Sequence, residues 1–559
     1  MKTKYIFVVG GVLSGVGKGV ATASIGRILK NRGLNVSAIK IDPYVNVDAG
    51  TMNPIEHGET FVTEDAYETD QDIGNYERFL DVDITSLNYM TTGSVYQSVI
   101  EKERSMYYKG KCVQVVPHIP LEVIERIKKA SEKAKADVMV IEVGGTVGEY
   151  ENILFLEAAR MIKLQNPDDV LFVLVSYLPI PGHLGEMKTK PTQHAARALN
   201  SCGIQADFII ARGKTELDAP RKEKLAIFCG LRSEEDVIAA PDVKSIYEVP
   251  ENFEKQKLST KIAQKLKLKF KLSASNEWGR FIKRMNTASN EIKIAVVGKY
   301  FGTGDFTLAD SYISVIEAIK HAAWFEGVRP ELTWIDSEDF ENGKKAIANT
   351  LENFDAIIVP GGFGSRGIAG IIGTISYARE NNVPYLGLCY GMQLACVEFA
   401  RFVLGKKDAN TVEIDKKTPD PIIHINPRQQ DNVLHGRYGG TMRLGAYDCL
   451  LQKGSKTEAL YKEFWKKTPW LRVEKTGVVV SERHRHRYEF NNDYKNLLEE
   501  KGMECVGVNP EADLVEIIEL KNHPYFVGSQ FHPEFKSRPL HPHPLFVGLV
   551  RAAMLRKTL

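Results

Sequence analysis

The stretch Tyr385-Leu386-Gly387-Leu388-Cys389-Tyr390-Gly391-Met392-Gln393 decides how the second half of the chain reads. Its apolar run 385–388 predicts a buried strand, and a helical pattern begins at about Met392. Cys389 lies at the junction, with Gly387 and Gly391 two residues to either side. A strained strand-to-helix turn brings neighbouring backbones too close for side chains, so it needs small residues at those two positions. Such an elbow exposes the thiol and aims the N–H of Tyr390, with the helix N-terminus, at a developing oxyanion. The same terminus favours the thiolate.

A free thiol titrates near ~8.5, so attack at neutral pH benefits from a basic partner. The segment QFHPEF (530–535) supplies one. His532 and Glu534 are two apart, so in an extended segment both point to one side and Glu534 can orient the imidazole. Cys396 is two helical turns beyond Cys389 and reads as buried packing. The glycine loop PGGFGSRG (360–367) follows another strand and offers a second oxyanion donor, best placed at Gly362. The run RHRHR (483–487) has arginines interleaved with histidines, which disfavours a metal site. A basic surface loop and a carboxylate-binding or domain-contact role both remain open for it.

Outward from the elbow, strands are expected at 294–297, 331–334 and 355–360, with a helix over 310–325. The first half shows the same alternation: strands at 5–9, 36–41, 138–142, 170–176 and 207–211, and helices at 19–31 and 120–135. Apolar runs alternating with helical patterns predict parallel sheets covered on both faces. The expected fold class is α/β, as two doubly wound, mostly parallel-sheet domains. The polar stretch 273–291 reads as a linker, dividing the chain into domains 1–272 and 292–559.

At 559 residues the chain has room for two such cores. Lys plus Arg number 73 against 71 acids, so bulk attraction to nucleic acid or membranes is not expected and anions must be held by local clusters. Seven scattered cysteines without CxxC spacing fit a reducing, cytoplasmic setting. No run approaches 18 uninterrupted apolar residues, so no membrane span is expected.

The first strand runs into GGVLSGVGKG (10–19) and then a helix. Glycine backbone N–H groups can wrap phosphate oxygens there, and Lys18 can reach the outer phosphates. A glycine turn entering a surface helix is the plainer alternative. The position after the lysine is Gly19 rather than Ser or Thr, so a magnesium-binding hydroxyl is missing. Carboxylates elsewhere must hold the ion, and Asp72 and Glu142 are the candidates. The segment GEMKTKPTQ (185–193) offers a second anion site.

Together these segments closely resemble one family, CTP synthase, across essentially the whole chain. The resemblance rests on GGVLSGVGKG, KIDPYVNVDAGTMNPIEHGETFV (40–62), ETDQDIGNYERF (68–79), IEVGGTVGEYE (141–151), GEMKTKPTQ, PGGFGSRG, GLCYGMQ, GGTMRLG (439–445), ERHRHRYE (482–489) and QFHPEF. It implies a P-loop-like amidoligase domain followed by a class I glutaminase domain. ATP phosphorylates the O4 of UTP, and ammonia from glutamine displaces the phosphate to give CTP. Carried over, Gly15, Val16, Gly17, Lys18, Gly19 and Val20 hold ATP phosphates; Pro241, Asp242 and Val243 line the adenine. Asp72, also at the ATP site, and Glu142 hold Mg2+. Ser14, Lys188, Thr189, Lys190, Pro191, Thr192, Gln193 and Lys224 meet UTP, and Glu149, Tyr150 and Glu151 lie in the segment linked to CTP inhibition. Gly362, Tyr390, Gly391, Met392, Gln393, Glu413 and Arg487 bind glutamine, with Cys389, His532 and Glu534 as the triad. A cytoplasmic homotetramer, activated by GTP and inhibited by CTP, is implied.

Three departures from the family pattern carry expectations. Tyr390 replaces a Leu after the nucleophile and is expected to alter glutamine access. Glu149 replaces an Asp and is expected to loosen CTP feedback. The segment 301–309 is longer than usual and bears on GTP activation. Another glutamine-fed amidoligase is disfavoured by GEMKTKPTQ and 40–62. An idle nucleotide-binding scaffold has no need to keep Cys389, His532, Glu534 and Lys18 together.

Overall fold

The computed structural model describes residues 2–182, 185–270, 276–299, 302–303, 306–307, 309–425 and 442–558. Two expectations reach beyond them. Part of the 301–309 stretch and Gly439, Gly440 and Thr441 of GGTMRLG lie outside the described residues, as do 273–275 of the linker. The chain folds as two units, one of residues 1–49 and 72–282, the other of 50–71 and 283–559. Residues 50–71, expected with the first half, thus pack with the second.

The first unit is built on seven strands: β1 (Lys4–Gly11), β2 (Val36–Asp42), β3 (Tyr89–Thr91), β4 (Val138–Val143), β5 (Val170–Tyr177), β6 (Phe208–Gly213) and β7 (Val237–Pro241). They pair in the order β3-β2-β4-β1-β5-β6-β7, every pair parallel. Parallel strands covered on both faces read as continuous apolar runs, and β2 and β4 are buried throughout. The order reverses at β1, so a crevice opens beyond the C-terminal ends of β1 and its neighbours, where such sheets bind ligands. The helix Lys18–Asn31 leaves β1 through a left-handed Gly17. Within the stretch read as linker, Glu277–Thr287 is a helix whose Trp278 is buried against Phe79 and Tyr247.

The main sheet of the second unit has ten strands among the described residues: β8 (Asn290–Gly298), β9 (Val328–Asp336), β10 (Ala356–Val359), β11 (Tyr385–Leu388), β12 (Arg443–Leu451), β13 (Leu471–Glu474), β14 (Gly477–His486), β15 (Met503–Asn509), β16 (Leu514–Leu520) and β17 (Phe526–Ser529). Their order is β9-β8-β10-β11-β17-β16-β15-β12-β14-β13. The first five pair in parallel, as expected; the other half is antiparallel. Beside this sheet, Gly302–Thr303 pairs antiparallel with Phe306–Thr307. Among the described residues no helix is long and apolar enough to cross a membrane.

The elbow forms between β11 and the helix Tyr390–Phe402. Cys389 takes φ 48° and ψ −95°, a strained conformation for a residue with a side chain. Both flanking glycines are sterically required. A Cβ on Gly391 would lie 2.3 Å from the Val359 carbonyl oxygen, and one on Gly387 would lie 2.7 Å from the Gly391 carbonyl carbon. Gly391→Ala should therefore destabilise the second unit by about 1–3 kcal/mol, as overpacking does. Thermal unfolding of the variant will show a lowered midpoint; an unchanged midpoint would mean that the backbones are not in contact.

Candidate functional site

In the first unit the glycine loop rises from β1 and Lys18 folds back beneath it, donating to the Gly145 carbonyl at 3.0 Å. Burial lowers the Lys18 pKa, and Glu142 partly offsets this. Glu142, at the end of β4, is 1% exposed. Its carboxylate meets Lys40 Nζ at 2.9 Å and accepts from the Tyr76 hydroxyl. Lys40 also bridges to Asp72, which opens the helix Gln71–Leu80. The two predicted metal ligands are thus brought to one cation. Burial raises the Glu142 carboxyl against the pull of Lys40.

Gly19 explains where the missing hydroxyl went. A Cβ at that position would lie 2.0 Å from Asp72 Oδ1, so the carboxylate occupies the space a Ser or Thr side chain would fill. This donor set, two carboxylates beside a phosphate loop, suits Mg2+, which takes one or two carboxylates plus phosphate oxygens.

Pro241 ends β7, and Asp242 pairs with Arg212 at 3.0 Å. Thr189 precedes the helix Lys190–Ser201, which packs on β1 where Ala195 would meet a Cβ on Gly11. Thr192 is buried and bonded to Ser176 at 2.8 Å, and Gln193 donates to Thr189 Oγ1 at 3.1 Å. These two side chains therefore brace the loop, whereas Lys190 and Lys224 are exposed and Lys188 is half-buried. Glu149 closes its own turn by accepting from Thr146 N–H at 2.8 Å, and Tyr150 is 92% exposed. Lys40 and Arg212 were missed. A lysine inside the fully buried β2 was a readable signal, and so was an arginine ending the apolar run of β6. Arg212 Nε lies 3.6 Å from where a Cβ on Gly17 would be, over the phosphate loop.

In the second unit a cavity of about 480 Å³ is lined by Cys389, Gln393, Glu413, Arg487, His532 and Glu534, with Gly362 on its rim. Residues of 50–60, notably Thr51, Pro54 and Glu59, complete its wall. Glu534 accepts from His532 Nδ1 at 2.7 Å, the geometry expected of an orienting carboxylate. Burial disfavours the charged ring, but Glu534 and then Cys389 more than offset it and hold the imidazole up at about 10. The Cys389 N–H is fixed by the Ser529 carbonyl at 2.6 Å. Met392 is fully buried and packs against Gly528, so its side chain is turned away from the cavity.

Tyr390 does not intrude on the pocket. Its ring is 2% exposed and its hydroxyl donates to the Gly364 carbonyl at 2.8 Å. Lys299 sits 4.7 Å above the ring and donates to the Phe363 and Gly364 carbonyls at 3.2 and 2.7 Å. Glu413 accepts from Gly364 N–H at 2.9 Å. The glycine loop around Gly362 is thus anchored by three side chains. Burial lowers the Lys299 pKa to about 8, partly offset by Glu413, and burial raises Glu413.

Residues 483–486 of the RHRHR run end strand β14, and Arg487 follows in a bend, so the run is not a basic surface loop. Arg483 meets Glu64 at 2.9 Å and Arg485 meets Glu68 at 2.8 Å, so both bind carboxylates of the 50–71 stretch. His484 and His486 are buried 2.8 Å apart and driven well below the usual imidazole range, chiefly by burial and then by Arg443.

Comparison with known proteins places both halves. The CTP synthase N-terminus family matches residues 4–268, and the class I glutamine amidotransferase family matches 307–552. A CTP synthase of Caldanaerobacter subterraneus subsp. tengcongensis is 48% identical over 552 residues, covering 99% of this chain and 98% of its own. One of Thermosynechococcus vestitus is 48% identical over 553 residues, covering 99% and 97%. The solved glutaminase domain of Trypanosoma brucei CTPS with bound acivicin is 34% identical, covers 47% of this chain and 94% of its own, and has a TM-score of 0.41. With near-complete coverage by such relatives, and a thiol elbow and a glycine loop both in place, the chain belongs to the CTP synthase family.

Proposed function

We propose that this chain aminates UTP to CTP at the expense of ATP, using ammonia that Cys389 releases from glutamine. The observation that carries the reading is the elbow. Cys389 is held on a strained turn, and it lines a pocket large enough for an amino acid together with His532, whose ring Glu534 orients at 2.7 Å.

In the glutaminase domain the thiolate of Cys389 attacks the side-chain amide carbon of glutamine. The carbonyl oxygen becomes an oxyanion facing the N–H groups of Tyr390 and Gly362. His532 gives its proton to the leaving nitrogen, and ammonia departs as the thioester forms. Water, deprotonated by His532, then attacks the thioester, releasing glutamate and restoring the thiol. Gln393, Glu413 and Arg487 hold the α-amino and α-carboxylate ends, and the backbone of Gly391 and Met392 completes the site.

In the amidoligase domain Gly15, Val16, Gly17, Gly19 and Val20 wrap ATP phosphates by backbone N–H, with Lys18 and Arg212 adding charge. Pro241, Asp242 and Val243 border the adenine. Asp72 and Glu142 hold Mg2+, which when bound neutralises phosphate charge. Ser14, Lys188, Lys190 and Lys224 meet UTP, with Thr189, Pro191, Thr192 and Gln193 shaping their loop. The uracil O4 takes the γ-phosphoryl group, and ammonia displaces phosphate from C4.

Glu149, Tyr150 and Glu151 form the CTP-sensing turn, GTP activates the glutaminase, and the protein works as a cytoplasmic homotetramer. Sedimentation, and synthesis with added GTP or CTP, test these assignments; a monomer or an effector-blind rate would remove them.

Cys389→Ala should abolish glutamine-dependent CTP synthesis while ammonia-dependent synthesis persists; loss of both, in a folded variant, would show that Cys389 is not the ammonia source. Gly19→Ala should displace Asp72 and lower ammonia-dependent synthesis at least about tenfold, the cost of misplacing one charged ligand. An unchanged rate would break the link between Gly19 and the metal carboxylates. The sign of the pH dependence follows from His532. Its folded value of about 10 exceeds the unfolded ~6.5. The ion pair's stabilisation is therefore complete below about pH 6.5 and lost as pH rises through about 10. The alkaline limb of glutaminase kcat/KM should lie near pH 10 and move down in Glu534→Gln; a limb that stays in place would remove Glu534 from the triad.

A further inference from the structure

Gln530, two residues before His532, is fully buried where the chain leaves β17. Its side-chain amide is bonded at both ends. Nε2 points at Cys389 Sγ at 3.6 Å, within reach of an N–H···S hydrogen bond. Oε1 accepts from Gln393 Nε2 at 3.2 Å. Gln393 is 3% exposed and sends the other hydrogen of that nitrogen to the Tyr488 carbonyl at 3.0 Å. The backbone of Gln530 is fixed as well, its N–H bonded to the Glu516 carbonyl at 2.8 Å.

The orientation of this relay follows from chemistry. A side-chain amide can be turned end for end, and only its partners say which end is which. The Tyr488 carbonyl is backbone and can only accept, so Gln393 must turn its NH2 toward it. That NH2 then needs an acceptor in Gln530, which must present Oε1. The NH2 of Gln530 is left facing the sulfur. Turning either amide would set oxygen against oxygen or NH2 against NH2.

We propose that Gln530 is a further catalytic residue of the glutaminase reaction, a neutral N–H donor that stabilises the Cys389 thiolate and is oriented by the Tyr488 carbonyl through Gln393. The proposal rests on Cys389 being the nucleophile. Hydrogen bonds to an ionised acceptor are about twice as strong as those to a neutral one, so the donor favours thiolate over thiol. A neutral amide also suits the chemistry that follows. When the C–S bond forms and sulfur loses its charge, a weak donor is released at less cost than a cation would be. His532 stays free to protonate the leaving nitrogen, because the sulfur has a second partner.

The test is alkylation of Cys389 by iodoacetamide in the full-length protein, followed on the Cys389 peptide by mass spectrometry across pH 5–10. Exposed Cys112 serves as the internal control. Gln530→Leu should slow alkylation of Cys389 at pH 7 by about tenfold, the usual scale for a hydrogen bond to a charged group, and move its pH profile upward. Glutaminase kcat should fall by a similar factor with KM for glutamine little changed, since Gln530 does not line the pocket. Should the leucine variant fail to fold, Gln530→Glu keeps the length and shape, replaces the donor with an acidic oxygen, and must also move the profile upward. A folded variant with the parent's alkylation profile would overturn the role of Gln530. A parent Cys389 no more reactive than Cys112 would instead overturn its role as nucleophile.

Discussion

Cys389 occupies backbone angles that cost an ordinary residue roughly 1–3 kcal/mol, and much of the second unit serves to hold it there. The turn survives because its neighbours leave no other arrangement. Gly391 lies against the Val359 carbonyl of β10, Gly387 lies against Gly391 itself, and the Ser529 carbonyl of β17 takes the cysteine N–H. Those contacts join three adjacent parallel strands, so the thiol stands at the C-terminal edge of the sheet's rigid centre. Its partners arrive from the same edge: His532 and Glu534 just beyond β17, the glycine loop just beyond β10. A reactive group placed this way needs no loop motion to meet its base.

The first unit solves a different problem, that of holding two acids side by side at the glycine loop. Glu142 and Asp72 would repel each other in a dry crevice, and Lys40 stands between them. A buried charge set of this kind contributes little to stability, but removing one member is costly. The substitution of Gly19 for the customary hydroxyl belongs to the same design, since it makes the room that Asp72 fills. Two sites on one chain thus rest on the same principle, a glycine whose missing side chain lets a functional group come close.

Local pattern carried much of this. The strand at 385–388 is predicted to the residue, and the other parallel strands that the sequence shows lie within one to four residues of their expected ends, because buried parallel strands are continuously apolar; β3, β7 and β17 are not read from it. The antiparallel half of the second sheet was not read. In β14 Arg483 and Arg485 stand between histidines, a composition that resembles a basic loop. Membership of 50–71 in the second unit had no local signal either, since it is decided by pairing of Glu64 and Glu68 with arginines more than four hundred residues away. Gln530 escaped for a related reason: it is an ordinary residue type whose role depends on what the fold sets beside it, whereas Lys40 and Arg212 stand out as charges in apolar runs. Tyr390 marks the opposite case: noticed in the sequence as an obstruction, it turns inward and anchors the glycine loop instead.

The central claim is that glutamine's amide nitrogen, freed at Cys389, becomes the 4-amino group of CTP. The direct measurement is the mass of the CTP formed from UTP, ATP, Mg2+ and glutamine labelled with 15N in its side-chain amide. The CTP should carry one 15N. No CTP from either glutamine or free ammonia, or CTP without the label, would contradict it.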